Sequence, residues 1–171
     1  LTERIISKAI KNDIAIYAAH TNLDNAFDGV NRKICDLLGI NNVSILRKSS
    51  GILKKLVTFC PRDHADKVRQ AIFNAGAGHI GEYDRCSFNS DGQGTFRAGD
   101  KANALVGTIG KVHVEAEVRI ETIFPSYLQK NLLKALMESH PYEEVAYDIY
   151  PMDNEYSRAG AGMIGFLEQE M

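Results

Sequence analysis

The chain has 171 residues, 44% of them apolar and 25% charged, an ordinary balance for a globular protein that buries a sizeable core and does not read as disordered. Its net charge of −2 comes from 20 basic and 22 acidic residues that are well mixed along the sequence. This gives no electrostatic footprint for nucleic acid or an anionic membrane, and no apolar run approaches the length of a membrane span. With no basic-then-apolar leader either, the expected location is cytoplasmic. Cys35, Cys60 and Cys86 are odd in number and widely spaced, which points to reduced thiols rather than a disulfide frame or a structural zinc site. The first residue is Leu1, inside a stretch that already has helical spacing, so the chain reads as a fragment of a longer protein.

Thr2 to Lys11 is expected as a helix with Ile6 and Ile10 four apart, and Ile14 to Ala19 as a strand buried on both faces. Asp28-Gly29 then opens a helix carrying Val30, Ile34, Leu37 and Leu38, closed by Gly39. The polar stretch Arg47 to Gly51 reads as a junction. Beyond it, Leu56 to Cys60 is a strand closed by Pro61, and Asp63 to Ala75 a helix with Ala65, Val68 and Ile72 inward. Two further strands, Tyr83 to Ser90 and Thr95 to Arg97, flank Asp91-Gly92-Gln93-Gly94, which has the chemistry of a hairpin turn.

Val112 to Thr122 alternates cleanly, placing Val112, Val114, Ala116, Val118 and Ile120 inward and His113, Glu115, Glu117, Arg119 and Glu121 on a solvated face. Ser126 to Ser139 is a helix and Val145 to Tyr150 a strand, which completes a β-α-β(β)β-α-β order of the ferredoxin-like kind. Met163 to Leu167 starts a last strand that is expected to pair with the first segment. The resulting fold class is a partial α/β core interrupted by an α+β ferredoxin-like inserted domain. Its boundaries are 1–53 for the first part of the core, 54–153 for the insert and 154–171 for the return segment.

Two glycine patterns, "GAGHIG" from Gly76 and "GAGMIG" from Gly160, match the dinucleotide fingerprint but lack its strand-before, helix-after context. They carry no cofactor assignment. His113, Glu115 and Glu117 share one strand face, and "SHPYEEVAYDIYP" gathers His140, Glu143 and Glu144 at a helix end; each is a weak ligand candidate beside a plain structural reading. His20 and Asp24 have a better address. They follow the Ile14 to Ala19 run, where ligands of layered α/β domains bind, and pair an imidazole with a hard oxygen suited to zinc, iron or manganese. A local role in turn and cap hydrogen bonds weighs evenly against it.

"YAAHTNLDNAFDGVN" resembles the motif of the Ngg-one-interacting-factor-three-like (Nif-three-like) family, whose bacterial members are labelled type 2 GTP cyclohydrolase homologues. "CSFNSDGQGTFR" and "HPYEEVAYDIYP" are similar to hallmarks of the PII/CutA-like domain inserted in its longer bacterial members. The resemblance implies a dinuclear divalent-metal site in which Asp24 matches the central carboxylate and His20 a neighbouring, site-lining histidine. The resemblance places the family's remaining ligands, a His-His pair and a His-x-x-x-Glu motif, upstream and downstream of this segment, so no dinuclear pair is expected in this fragment. The implied function is a metal-dependent hydrolase acting on a nucleotide-like substrate, assembled as a homo-oligomer. The alternative is a regulatory or assembly module in which the insert binds a small-molecule ligand or gates the core without catalysis.

Overall fold

The computed structural model describes residues 2–168, so Leu1 and positions 169–171, which bound the expected core segments, lie outside the described residues. The chain forms two compact units, residues 2–48 with 157–168, and residues 49–156.

The first unit opens with α1 (Thr2–Lys11), whose Glu3 sits in the first turn and Lys8 and Lys11 in the last, as the helix dipole favours. Next come the single-turn α2 (Thr21–Asn25) and α3 (Val30–Leu37), then β1 (Asn41–Ser49). Gly39 takes a left-handed φ of 69° just past α3, the conformation that ends helices. The run Ile14 to Ala19, expected as a doubly buried strand, is not a strand: it is irregular, with Ile14 59% and Ile16 64% exposed. A strand needs neighbours for its backbone groups and a layer on each face, and no described strand pairs with this run. Conversely, β1 was hidden in the sequence. Val43 and Ile45 alternate inward, but the flanking Asn41-Asn42 and Arg47-Lys48 mask the signal, and the stretch read as a junction begins inside the strand.

The second unit follows in chain order with β2 (Leu53–Pro61), a 3-10 turn (Arg62–His64), α4 (Ala65–Asn74), β3 (Phe88–Arg97) and β4 (Val112–Pro125). A second 3-10 turn (Ser126–Leu128) leads into α5 (Gln129–Ser139), and β5 (Tyr147–Pro151) closes the unit. The sheet order is β3-β4-β2-β5, all antiparallel, which is the ferredoxin-like split arrangement. The last strand, β6 (Tyr156–Phe166), pairs with β1 in a separate two-stranded sheet and contains the "GAGMIG" pattern.

The core of the second unit follows period-two and helical logic together. Leu56 and Cys60 of β2, Val118, Ile120 and Phe124 of β4, Val68 and Ile72 of α4, and Leu132 and Leu136 of α5 form one buried cluster. Two buried hydroxyls fall on the same sheet face, and both are satisfied: Thr58 donates to the Ala146 carbonyl at 2.9 Å and Thr122 to the Cys86 carbonyl at 2.8 Å.

Two expectations fail in this sheet for identifiable reasons. Asp91-Gly92-Gln93-Gly94 is not a turn but the middle of the continuous strand β3, with Gly92 opposite Glu117 and Gly94 opposite Glu115. A Cβ at Gly94 would stand 2.2 Å from the Glu117 carboxylate, so this glycine serves a close approach. The inward face of β4 also holds only over its second half: Val112 is 72% and Val114 53% exposed, whereas Val118 is 8% and Ile120 fully buried. The β2 register ends at Pro61 opposite Glu117, so residues 112–116 extend past β2 and keep only β3 beside them. Accordingly, Val118→Asp is expected to destabilise the unit by about 3 kcal/mol or more, and Val112→Asp by about 0.5 kcal/mol or less. Urea unfolding of the two variants checks this, and equal losses would contradict the overhang.

Candidate functional site

His20 immediately precedes α2 with φ −101° and ψ −106°, and Asp24 lies within that helix; both side chains are exposed. Asn31 reaches back from α3 and donates its side-chain amide to the Asp24 main-chain carbonyl at 2.8 Å, which ties α2 to the next helix. The Asp24 carboxylate itself is exposed, with no partner among the described residues. Among the described residues no group of three or more His, Cys, Asp or Glu side chains converges in a way that could hold a metal ion.

The polar residues of the second unit are more tightly organised than the sequence indicated. His140 caps the C-terminal end of α5, 7% exposed, and its ring has a single consistent tautomer. Nδ1 accepts from the Tyr142 backbone N–H at 3.1 Å, so Nε2 carries the proton and donates to the Phe59 carbonyl at 2.9 Å. Both ring nitrogens are thus engaged. Glu143 accepts from the Asn103 backbone N–H at 2.8 Å, and Glu144 is exposed, so these three weak ligand candidates have separate surroundings.

The β4 face expected to be solvated is half-covered instead. His113 Nε2 lies 2.8 Å from Glu115, and the Tyr142 hydroxyl donates to Glu117 at 2.9 Å. Phe96 links them, its ring 5.4 Å from His113 and 6.2 Å edge-on to Tyr142, and His140 stands 5.2 Å from Tyr142. Sequence reasoning passed over Glu117 and Tyr142 as a pair; the available signal was a tyrosine directly after Pro141, at a chain crossover.

Electrostatics agree with this packing. Burial, reinforced by the bond to Glu117, pushes the Tyr142 phenol up, so it stays a donor. Burial, with the Glu117 charge acting in the same direction, pushes the Cys60 thiol up to about 12, which leaves it inert. The three cysteines are all free, Cys35 and Cys60 buried.

A family model described as Duf34/NIF3 (NGG1p interacting factor 3) matches residues 1–171, and the chain belongs to that family. It is 46% identical over 169 residues to the "GTP cyclohydrolase 1 type 2 homolog" of Bacillus subtilis (strain 168), covering 98% of this chain and 45% of the relative. The protein of the same description from Halalkalibacterium halodurans is 47% identical over 169 residues, with the same coverage of each chain. Among solved structures, a Bacillus cereus protein related to NIF3 superimposes with a TM-score of 0.81 at 49% identity, over 98% of this chain and 44% of that one. The chain therefore spans less than half the length of these relatives.

His140 generates a pH dependence. Burial is the main cause that holds its pKa below 6.5, and nearby His64 adds to it; the Phe59 carbonyl and the Glu117 charge oppose it. A folded-state pKa below the unfolded value means that the neutral ring favours folding. That contribution is present above about pH 6.5 and is lost as the pH falls from there through the depressed folded value. Melting temperatures recorded from about pH 7 to about pH 5 should fall more steeply for the natural chain than for His140→Gln. Parallel curves would contradict the assignment.

Proposed function

We propose that this segment contributes to a divalent-metal-dependent, hydrolase-type protein acting on a nucleotide-like substrate, with Asp24 as the metal-binding carboxylate and His20 lining the site. The observation that carries the reading is the Asp24 carboxylate, exposed and without a partner among the described residues, on a one-turn helix that Asn31 holds in place. Membership of the Duf34/NIF3 family and the "GTP cyclohydrolase 1 type 2 homolog" description of its relatives support it. The donor chemistry fits zinc, iron or manganese: Asp24 supplies a hard oxygen and His20 an imidazole. Bound divalent ions would polarise a substrate oxygen and lower the pKa of a bound water. Two side chains do not close a site, so the remaining ligands belong to parts of the longer protein, and this segment alone is not expected to hold a dinuclear pair.

The same reading assigns residues 54–153 to a PII/CutA-like insert in an α/β core formed by 1–53 and 154–171, within a cytoplasmic homo-oligomer. What supports the insert is that β2 and β5, its first and last strands, are antiparallel neighbours with Lys54 opposite Pro151, so its two ends lie side by side. What supports association is the apolar surface left open, including Ile10, Leu37 and Val112, each at least 72% exposed.

Metal analysis after dialysis tests the site in a protein that carries this segment at its relatives' full length. About two ions per chain are expected, with at least one lost in Asp24→Ala. Equal metal content in both proteins would overturn the role of Asp24.

A further inference from the structure

Two adjoining hollows lie within the 49–156 unit, on the β3–β4 side of its sheet. One, of about 430 Å³, is bordered by Phe59, Gly92 and Arg119; the other, of about 330 Å³, by Phe96, Ala98, Ala102, Ala104 and Leu105. Both are lined by Gly94, Thr95, Glu117, Tyr142 and Ala146. Glu117 is the acidic group at this junction. Its Oε1 accepts the Tyr142 hydroxyl at 2.9 Å, which fixes the carboxylate, while Oε2 lies over Gly94, in space that a Cβ would take. The glycine in mid-strand, the tyrosine with its raised pKa and the ring of Phe96 thus present one oriented carboxylate oxygen between two cavities.

The charges around it have one dominant sign. The second hollow is lined by Glu117, Glu143 and Glu144 against the exposed Arg97. In the first, Arg119 is paired with Glu121 at 2.9 Å and Asp91 with Arg62 at 2.9 Å, which leaves Glu117 as the lining charge without an ion-pair partner among the described residues. Ala98, Ala102, Ala104 and Leu105 add apolar lining to the second hollow, and aromatic rings such as those of Phe96 and Tyr142 attract cations. A bare metal ion fits poorly, since no group of three or more His, Cys, Asp or Glu side chains among the described residues could hold one.

We infer that this double hollow binds a small organic cation, a protonated amine joined to an apolar or aromatic body. The ammonium sits on Oε2 of Glu117 beside the Tyr142 and Phe96 rings, and the body fills the hollow bordered by Ala98, Ala102 and Leu105. The inference is independent of the metal reading, because every residue it uses belongs to the 49–156 unit.

The test is calorimetric titration of the chain with phenethylamine and its two close isosteres, phenethyl alcohol and phenylacetate. Saturable binding of the amine is expected, at least about tenfold tighter than either isostere, because only the amine forms a charge-assisted bond to Glu117. Glu117→Gln keeps an acceptor for Tyr142 but removes the charge, and it should lower the affinity about tenfold. Ala104→Phe, at an exposed loop position, fills the second hollow and should weaken binding without any change at Glu117. Phenylacetate binding as tightly as the amine, no saturable binding up to about 10 mM, or an unchanged affinity in both variants would overturn the inference.

Discussion

The pairing of β1 with β6 is the constraint on which the rest of this chain depends. Residues 41–49 can meet 156–166 only if the hundred or so residues between them return to their starting point. The ladder is built for close contact: a side chain at Gly160 would collide with the Arg47 carbonyl, and one at Gly165 with the Asn41 carbonyl. The intervening chain meets the demand through its own topology. In the order β3-β4-β2-β5 the unit's first and last strands along the chain, β2 and β5, are neighbours, and the Met152 N–H bonds the Leu53 carbonyl at 3.1 Å, so the unit begins and ends at one place. A ferredoxin-like arrangement thus satisfies the closure that the flanking strands impose.

Within the second unit, local polar chemistry is coupled to packing through one short relay. His140, held at the end of α5 by the Phe59 carbonyl, accepts the backbone N–H of Tyr142. Tyr142 in turn orients Glu117, and the carboxylate has room only because position 94 is glycine. Each member has a separate structural reason to be where it is: a helix end, a chain crossover, the last β4 position paired with β2 and a strand glycine. Their convergence sets the Glu117 carboxylate between two cavities, a few placed polar groups among apolar lining. The thiol of Cys60 nearby is buried and inert.

Much of this was legible in the sequence where burial alone decides the outcome. Ala65, Val68 and Ile72 announced their helix, and Val118 and Ile120 their strand, because a complete core on one side enforces the periodicity. The signal failed where side chains answer to something else. Asp91 to Gly94 has turn composition, yet its glycine answers to Glu117 across the ladder, a fact visible only in the register. Val112 and Val114 continue an alternating pattern beyond the strand that would bury them. Ile14 to Ala19 carries strand composition without a described partner, and the polar ends of β1 hid a strand whose partner lies more than a hundred residues away. Asp24 and His20 stood out by position and by resemblance, whereas Glu117 and Tyr142 could be joined only once the sheet was known.

The central claim is that residues 49–156 form a self-sufficient cooperative body, while the apolar faces of the remaining unit stay largely uncovered. Native-state amide hydrogen exchange tests it most directly. The account predicts that amides of Leu56 to Cys60 and Val118 to Phe124 share one high opening free energy. Those of α1 and α3, where Cys35 is the one buried residue among those described, should open at a distinctly lower one. A single opening free energy common to both groups would contradict it.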